Sequence, residues 1–79
     1  MWCILLNKYL GMDAKRLGKK IKLARVEHDM TQEDLAKAIG ALQKSISRYE
    51  TGVSAPSIET LEKIAKLLKK PFGYFLDEI

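Results

Sequence analysis

Few residues in this chain carry reactive chemistry. There is one cysteine, Cys3, and one histidine, His28. A lone thiol makes no internal disulfide and no cysteine-rich zinc site. No nucleophile–base set and no glycine-rich phosphate loop is present, which argues against an enzyme and against a bound cofactor or metal. The polar chemistry gathers instead at Gln43, Lys44, Ser47 and Arg48. On helical spacing these four lie off the face marked by Ile46 and Tyr49. A glutamine amide can pair bidentately with adenine, and lysine or arginine with guanine O6 and N7. On an isolated helix, simple solvation is the better explanation of such a set. The elements around it therefore decide how it reads.

Those elements are helical. Apolar residues recur at helical spacing, and no run alternates long enough to suggest a sheet. The first helix is expected over residues 13–28, with Asp13 as N-cap and Leu17, Ile21, Ala24 and His28 along one face. Leu23 and Val26 fall outside that stripe. His28 reads as a structural histidine at the helix end rather than a ligand or base. Thr31 caps a second helix, and Asp34 three residues on completes a variant capping box. Leu35, Ala36 and Ile39 form its buried side, and Gly40 ends it. This segment is too short to stand alone in water, so tertiary contacts must hold it. A third helix spans residues 43–50, stopped by Gly52. The fourth starts at Ser57, with Glu59 in its first turn and Ile58, Leu61, Ile64, Ala65 and Leu68 as its apolar face. Pro71 closes it, and a weaker helix follows over residues 72–76.

The chain has 79 residues, 47% apolar and 30% charged, with a net charge of +4. That suits one small folded domain and favours a polyanionic partner. The opening apolar run is too short for a membrane span, which needs about 20 residues, and it lacks the form of a signal peptide. A cytoplasmic protein is expected.

Ala36, Gly40 and Ile46 turn two short helices into a geometric specification. If helices two and three cross steeply, their closest point lies near Ala36, where a larger side chain would force them apart. Gly40 supplies the sharp turn and Ile46 fills the wedge. With residues 31–40, 43–50, Gly52, Pro56 and 61–68, the pattern resembles the Cro/phage-repressor-type helix-turn-helix family over about residues 14–76. The resemblance implies an all-α, lambda-repressor-like domain of five helices, with helix three as the recognition helix. Its implied partner is a double-stranded DNA operator. Gln43, Lys44, Ser47 and Arg48 then become the DNA readers.

By the same resemblance, Gln32 contacts a backbone phosphate and braces Gln43, and Arg25 pairs with Glu50. Lys44, Arg48 and the loop at residues 51–54 add phosphate contacts, which position a protein without reading sequence. One departure stands out. The family usually has a capping Ser or Thr before the recognition helix, and here Leu42 occupies that place. Losing a cap costs about 1 kcal/mol. Leu42 is expected to pack in the core or the turn, with contact to a thymine methyl as the alternative.

Two regions lie outside the motif. Residues 1–12 form an apolar extension, read as either a tail or a packing element, and Met12 is a possible alternative start. The aromatic C-terminal segment, residues 71–79, is expected to complete the core through Phe72, Phe75 and Leu76. It leaves some of Tyr74, Phe75 and Ile79 for a two-fold interface. The expectation is a homodimer through this segment, with the N-terminal extension as a second route. As a regulator, the chain would be a prophage-type repressor, a restriction–modification controller or an antitoxin that represses its own operon. The competing reading is an antitoxin-like interaction module with weak or no DNA binding.

Overall fold

Four of the five helices are joined by the same kind of stop, and this repetition shapes the fold. The computed structural model describes the backbone of residues 2–76 and the side chains of residues 14–75. Its elements are α1 (Trp2–Glu27), α2 (Gln32–Ile39), α3 (Gln43–Thr51), α4 (Ile58–Leu67) and α5 (Phe72–Leu76). After each of α1 to α4, one residue takes a left-handed conformation: Asp29, Gly40, Gly52 and Lys69. In every case the amide of the next residue reaches back five residues to a carbonyl. Met30 donates to Arg25, Ala41 to Ala36, Val53 to Arg48 and Lys70 to Ala65. This is the Schellman arrangement, which satisfies carbonyls that a helix end leaves unpaired. Glycine adopts it freely, whereas Asp29 and Lys69 carry the steric cost of a Cβ at positive φ.

The starts are equally local. Thr31 Oγ1 accepts from the Asp34 amide and Asp34 Oδ2 accepts from the Thr31 amide, both at 3.0 Å. This completes the expected capping box. The Thr31 N–H holds the Asp34 carboxyl below its ordinary range, with help from the Thr31 hydroxyl and Lys37. Ser57 Oγ accepts from the Thr60 amide to start α4.

The core lies where these helices meet. Leu17, Ile21 and Ala24 of α1 pack with Leu35 and Ala36 of α2, Ile46 of α3, and Leu61, Ile64 and Ala65 of α4. Leu68 and Phe75 close it. Four expectations need correcting. First, α1 does not begin at Asp13 but runs unbroken from Trp2, so residues 2–12 belong to the same helix. Nothing in that stretch stops a helix, since one interior glycine costs only about 1 kcal/mol. Second, Ile58 is not on the buried face and is 57% exposed, because as the first residue of α4 it extends beyond the core. Third, His28 lies beyond the end of α1 and is mostly exposed. Its Nε2 is nonetheless 2.6 Å from the Leu68 carbonyl, so the ring ties the end of α1 to the end of α4. Fourth, Leu42 packs in neither core nor turn, being 72% exposed. Leu23 and Val26 are exposed, as their place off the stripe requires.

Of the C-terminal aromatics, only Phe75 lies fully in the core, and Phe72 does not separate from Tyr74 as expected. Phe75 is buried, and Phe72 and Tyr74 are half-buried against the core. The Tyr74 ring lies between Lys20 and Lys70, with Nζ atoms 5.4 and 4.8 Å from its centroid. Ile79 and the side chain of Leu76 lie outside the described residues.

Candidate nucleic-acid interface

The site rests on how α2 and α3 are fixed to each other and to α1. Ala36 and Ile46 are fully buried at the α2–α3 junction. Gly40 turns the chain at φ 72°, ψ 33°. A Cβ there would meet nothing within 4 Å, so the demand for glycine is conformational rather than steric. Two of the trio are thus buried, and the third has the left-handed backbone of a helix stop.

A polar clamp joins all three helices. Arg25 Nε donates to Glu50 Oε2 at 2.6 Å and Nη2 donates to Oε1 at 3.2 Å. Nη1 donates to the Met30 carbonyl at 2.6 Å, so each guanidinium nitrogen has a partner. The two side chains are only 10% and 3% exposed. Gln32 Nε2 adds a third donor to the Glu50 carboxylate at 3.1 Å. Gln32 is therefore braced by Glu50, whereas the resemblance had it bracing Gln43. Charge-assisted bonds of this kind fix orientation as well as adding energy.

The clamp has an electrostatic consequence. Glu50 is the only acid in α3. Buried and paired with Arg25, it is withdrawn from the outer surface. On that surface Gln43, Lys44 and Arg48 are exposed and Ser47 is half-buried. Among the described residues, neither Lys44 nor Arg48 has a carboxylate within ion-pair distance. The structure therefore gathers the four candidate readers on one positive outer face. Leu42 forms the N-terminal tip of that face. Its backbone is extended at the N-cap position and its side chain caps nothing.

Sequence reasoning missed Gly18. It lies in α1 where that helix crosses the end of α3. A Cβ at Gly18 would sit 2.4 Å from the Tyr49 carbonyl oxygen and 2.6 Å from that of Glu50. An interior helix glycine costs about 1 kcal/mol and so invites a question, but nothing in the sequence of α1 says what approaches it. Gly52 is held twice, by a φ of 83° and by the Lys15 side chain and backbone beside it.

No set of three or more metal-ligating side chains is gathered among the described residues. A groove of about 400 Å³ runs between Ala14 and the loop of residues 52–57, with Ser54 and Ser57 as its polar side chains. Ser57 is already engaged as the α4 cap. No helix among the described residues is long and apolar enough to cross a membrane.

A family model described as helix-turn-helix matches residues 21–75, which takes in the clamp, both short helices and the core. The chain belongs to the helix-turn-helix family of DNA-binding transcription regulators. Curated relatives agree. The chain is 37% identical over 59 residues to the cryptic phage CTXphi transcriptional repressor RstR of Vibrio cholerae. That match covers 75% of this chain and 53% of the relative. It is 40% identical over 60 residues to an uncharacterised helix-turn-helix-type transcriptional regulator of Methanocaldococcus jannaschii, covering 76% of this chain and 85% of the relative. It is 42% identical over 50 residues to antitoxin PezA of Streptococcus pneumoniae, covering 63% of this chain and 32% of the relative. The chain thus spans about half or less of the length of RstR and PezA. In helix-turn-helix proteins the second helix of the motif enters the major groove, and α3 holds that place in the order of helices here.

Proposed function

We propose that this chain binds double-stranded DNA sequence-specifically and acts as a small transcriptional regulator, repressing by occupying its operator. The observation that carries the proposal is the outer face of α3. Its cations are unneutralised, while its one acid is buried against Arg25. A phosphate backbone meets no carboxylate there. Gln43, Lys44, Ser47 and Arg48 are the proposed readers of base edges. Their types cover adenine and guanine recognition. Gln32, at the first turn of α2, is the proposed phosphate contact. A helix N-terminus offers free N–H groups and positive potential there. Among the described residues its amide oxygen accepts no hydrogen bond, so the side chain has capacity left beyond Glu50. The protein acts without catalysis, in the cytoplasm.

A homodimer is part of the proposal, because paired half-sites lie one helical turn, about 34–36 Å, apart on DNA. Its routes are the half-buried C-terminal aromatics Phe72 and Tyr74 and the N-terminal extension, residues 1–12. Leu23 and Val26 are exposed apolar residues further along α1. Sedimentation with and without DNA tests this, and a protein monomeric at high micromolar concentration on DNA overturns it.

Duplex binding is tested by mobility shift across a salt series. Each neutralised phosphate contributes about 0.9 to the log–log slope. A steep slope supports the reading. A flat slope with no shift on any duplex overturns it and favours the interaction-module alternative, which the similarity to an antitoxin keeps open.

A further inference from the structure

Leu42 occupies a position that works against it twice. It is the N-cap of α3, where a Ser or Thr oxygen would satisfy a free amide, and its side chain makes no such bond. It is also the most exposed of the large apolar residues among those described, at 72%. Burial does not explain it, because it is not among the residues packed on the core. A leucine here therefore forgoes a cap and leaves a large apolar side chain in water.

Its position supplies a reason. The backbone at Leu42 is extended, with φ −93° and ψ 147°, and the Leu42 carbonyl accepts the first bonds of α3 from Ser45 and Ile46. The side chain thus stands at the N-terminal end of the helix, beside exposed Gln43 and Lys44. That end is the one a recognition helix presents to base edges. A base edge in the major groove offers hydrogen-bonding groups with one apolar exception, the C5-methyl of thymine. We infer that Leu42 is a specificity-determining residue that packs on a thymine methyl and makes each half-site require thymine at one position. The inference rests on the proposed DNA-binding function and adds to the four polar readers a contact of different chemistry. The cap is lost in the free protein, and the exposed leucine is covered only on DNA carrying the right methyl.

The test removes the methyl and nothing else. Duplexes bound by the full chain are selected from a random pool, and each conserved thymine is then replaced in turn by deoxyuridine. At one thymine per half-site the replacement should weaken binding about fourfold, the effect of one buried methyl-sized group. The Leu42→Ala protein should bind the thymine duplex about fourfold more weakly per half-site and show no further loss with deoxyuridine there. Its own selection should no longer require thymine at that position. Leu42→Ser should behave the same way on DNA while melting at a higher temperature. This would show that the lost contact is not a loss of fold. If the unsubstituted protein tolerates deoxyuridine at every thymine, the inference is overturned. It is equally overturned if the Leu42→Ala protein keeps the same deoxyuridine sensitivity. Either result leaves the DNA-binding function standing. Failure to retain any duplex from the pool overturns both.

Discussion

Replacing Arg25 with methionine should remove a large part of the stability of the domain. The carboxylate of Glu50 is 3% exposed and takes two of its three donors from Arg25. With Arg25 gone, only Gln32 remains to compensate a buried charge. Breaking a buried pair from one side costs about 3–5 kcal/mol, because the surviving charge stays desolvated. A small domain has only about 5–15 kcal/mol in total. At roughly 4–8 °C per kcal/mol for a chain of this size, the melting temperature should fall by at least about 12 °C. Glu50→Leu alone should also be costly, as it strands the guanidinium. The double variant, Arg25→Met with Glu50→Leu, should recover most of the loss, since an apolar pair of similar volume is often neutral or better. Thermal and urea unfolding of the four proteins, followed by circular dichroism, closes the cycle. A coupling of at least about 2 kcal/mol is expected. If Arg25→Met costs under about 1 kcal/mol, or if the double variant equals the sum of the singles, the clamp does not hold the three helices as argued.

Three other predictions follow from local geometry. Gly18→Ala should destabilise the protein although alanine is the better helix former by about 1 kcal/mol, because the new methyl meets the backbone of Tyr49 and Glu50. Urea melts should show a net loss together with weaker DNA binding, and a stabilised variant would contradict the packing argument. Leu42→Ser should raise the melting temperature by about 4–8 °C, the worth of a restored cap of about 1 kcal/mol. An unchanged or lower value would count against the capping account. The Asp34 carboxyl has a lowered pKa in the folded state because the Thr31 N–H favours its charged form. Its contribution is therefore present above the ordinary carboxylate value and lost as pH falls through the lowered one. Melts of the unsubstituted protein and Asp34→Asn should converge as the pH falls through that acid window, and a constant difference would refute it.

Much of this protein was legible in the residue order because its governing interactions are short-range. Thr31 with Asp34, Ser57 with Thr60, and the glycines at 40 and 52 act within a few residues, so the starts of α2 and α4 and the stops of α2 and α3 could be read directly. The stripe of Leu17, Ile21 and Ala24 was readable too, because helical period alone sends it to one face. The packing role of Ala36 and Ile46 needed only the assumption of a tight turn between two helices. Arg25 and Glu50 came from family resemblance rather than from spacing, being 25 residues apart.

What the tertiary structure decided depends on approaches between distant segments. Gly18 is required by the carbonyls of α3, which no local pattern in α1 reveals. Gln32 meets Glu50 because α2 and α3 cross there. Ile58 and Leu42 look buried by period or by apolar character, yet each lies at a helix end where no neighbouring element reaches. The reach of α1 back to Trp2 was misjudged because a good cap residue, Asp13, is only an opportunity to start a helix. The sequence alone therefore supplied the candidate readers, Gln43, Lys44, Ser47 and Arg48, by type and helical spacing. The tertiary structure decided that their one acidic neighbour is buried and neutralised, and that Leu42 stands exposed beside them. Burial and pairing at that range depend on how whole helices pack.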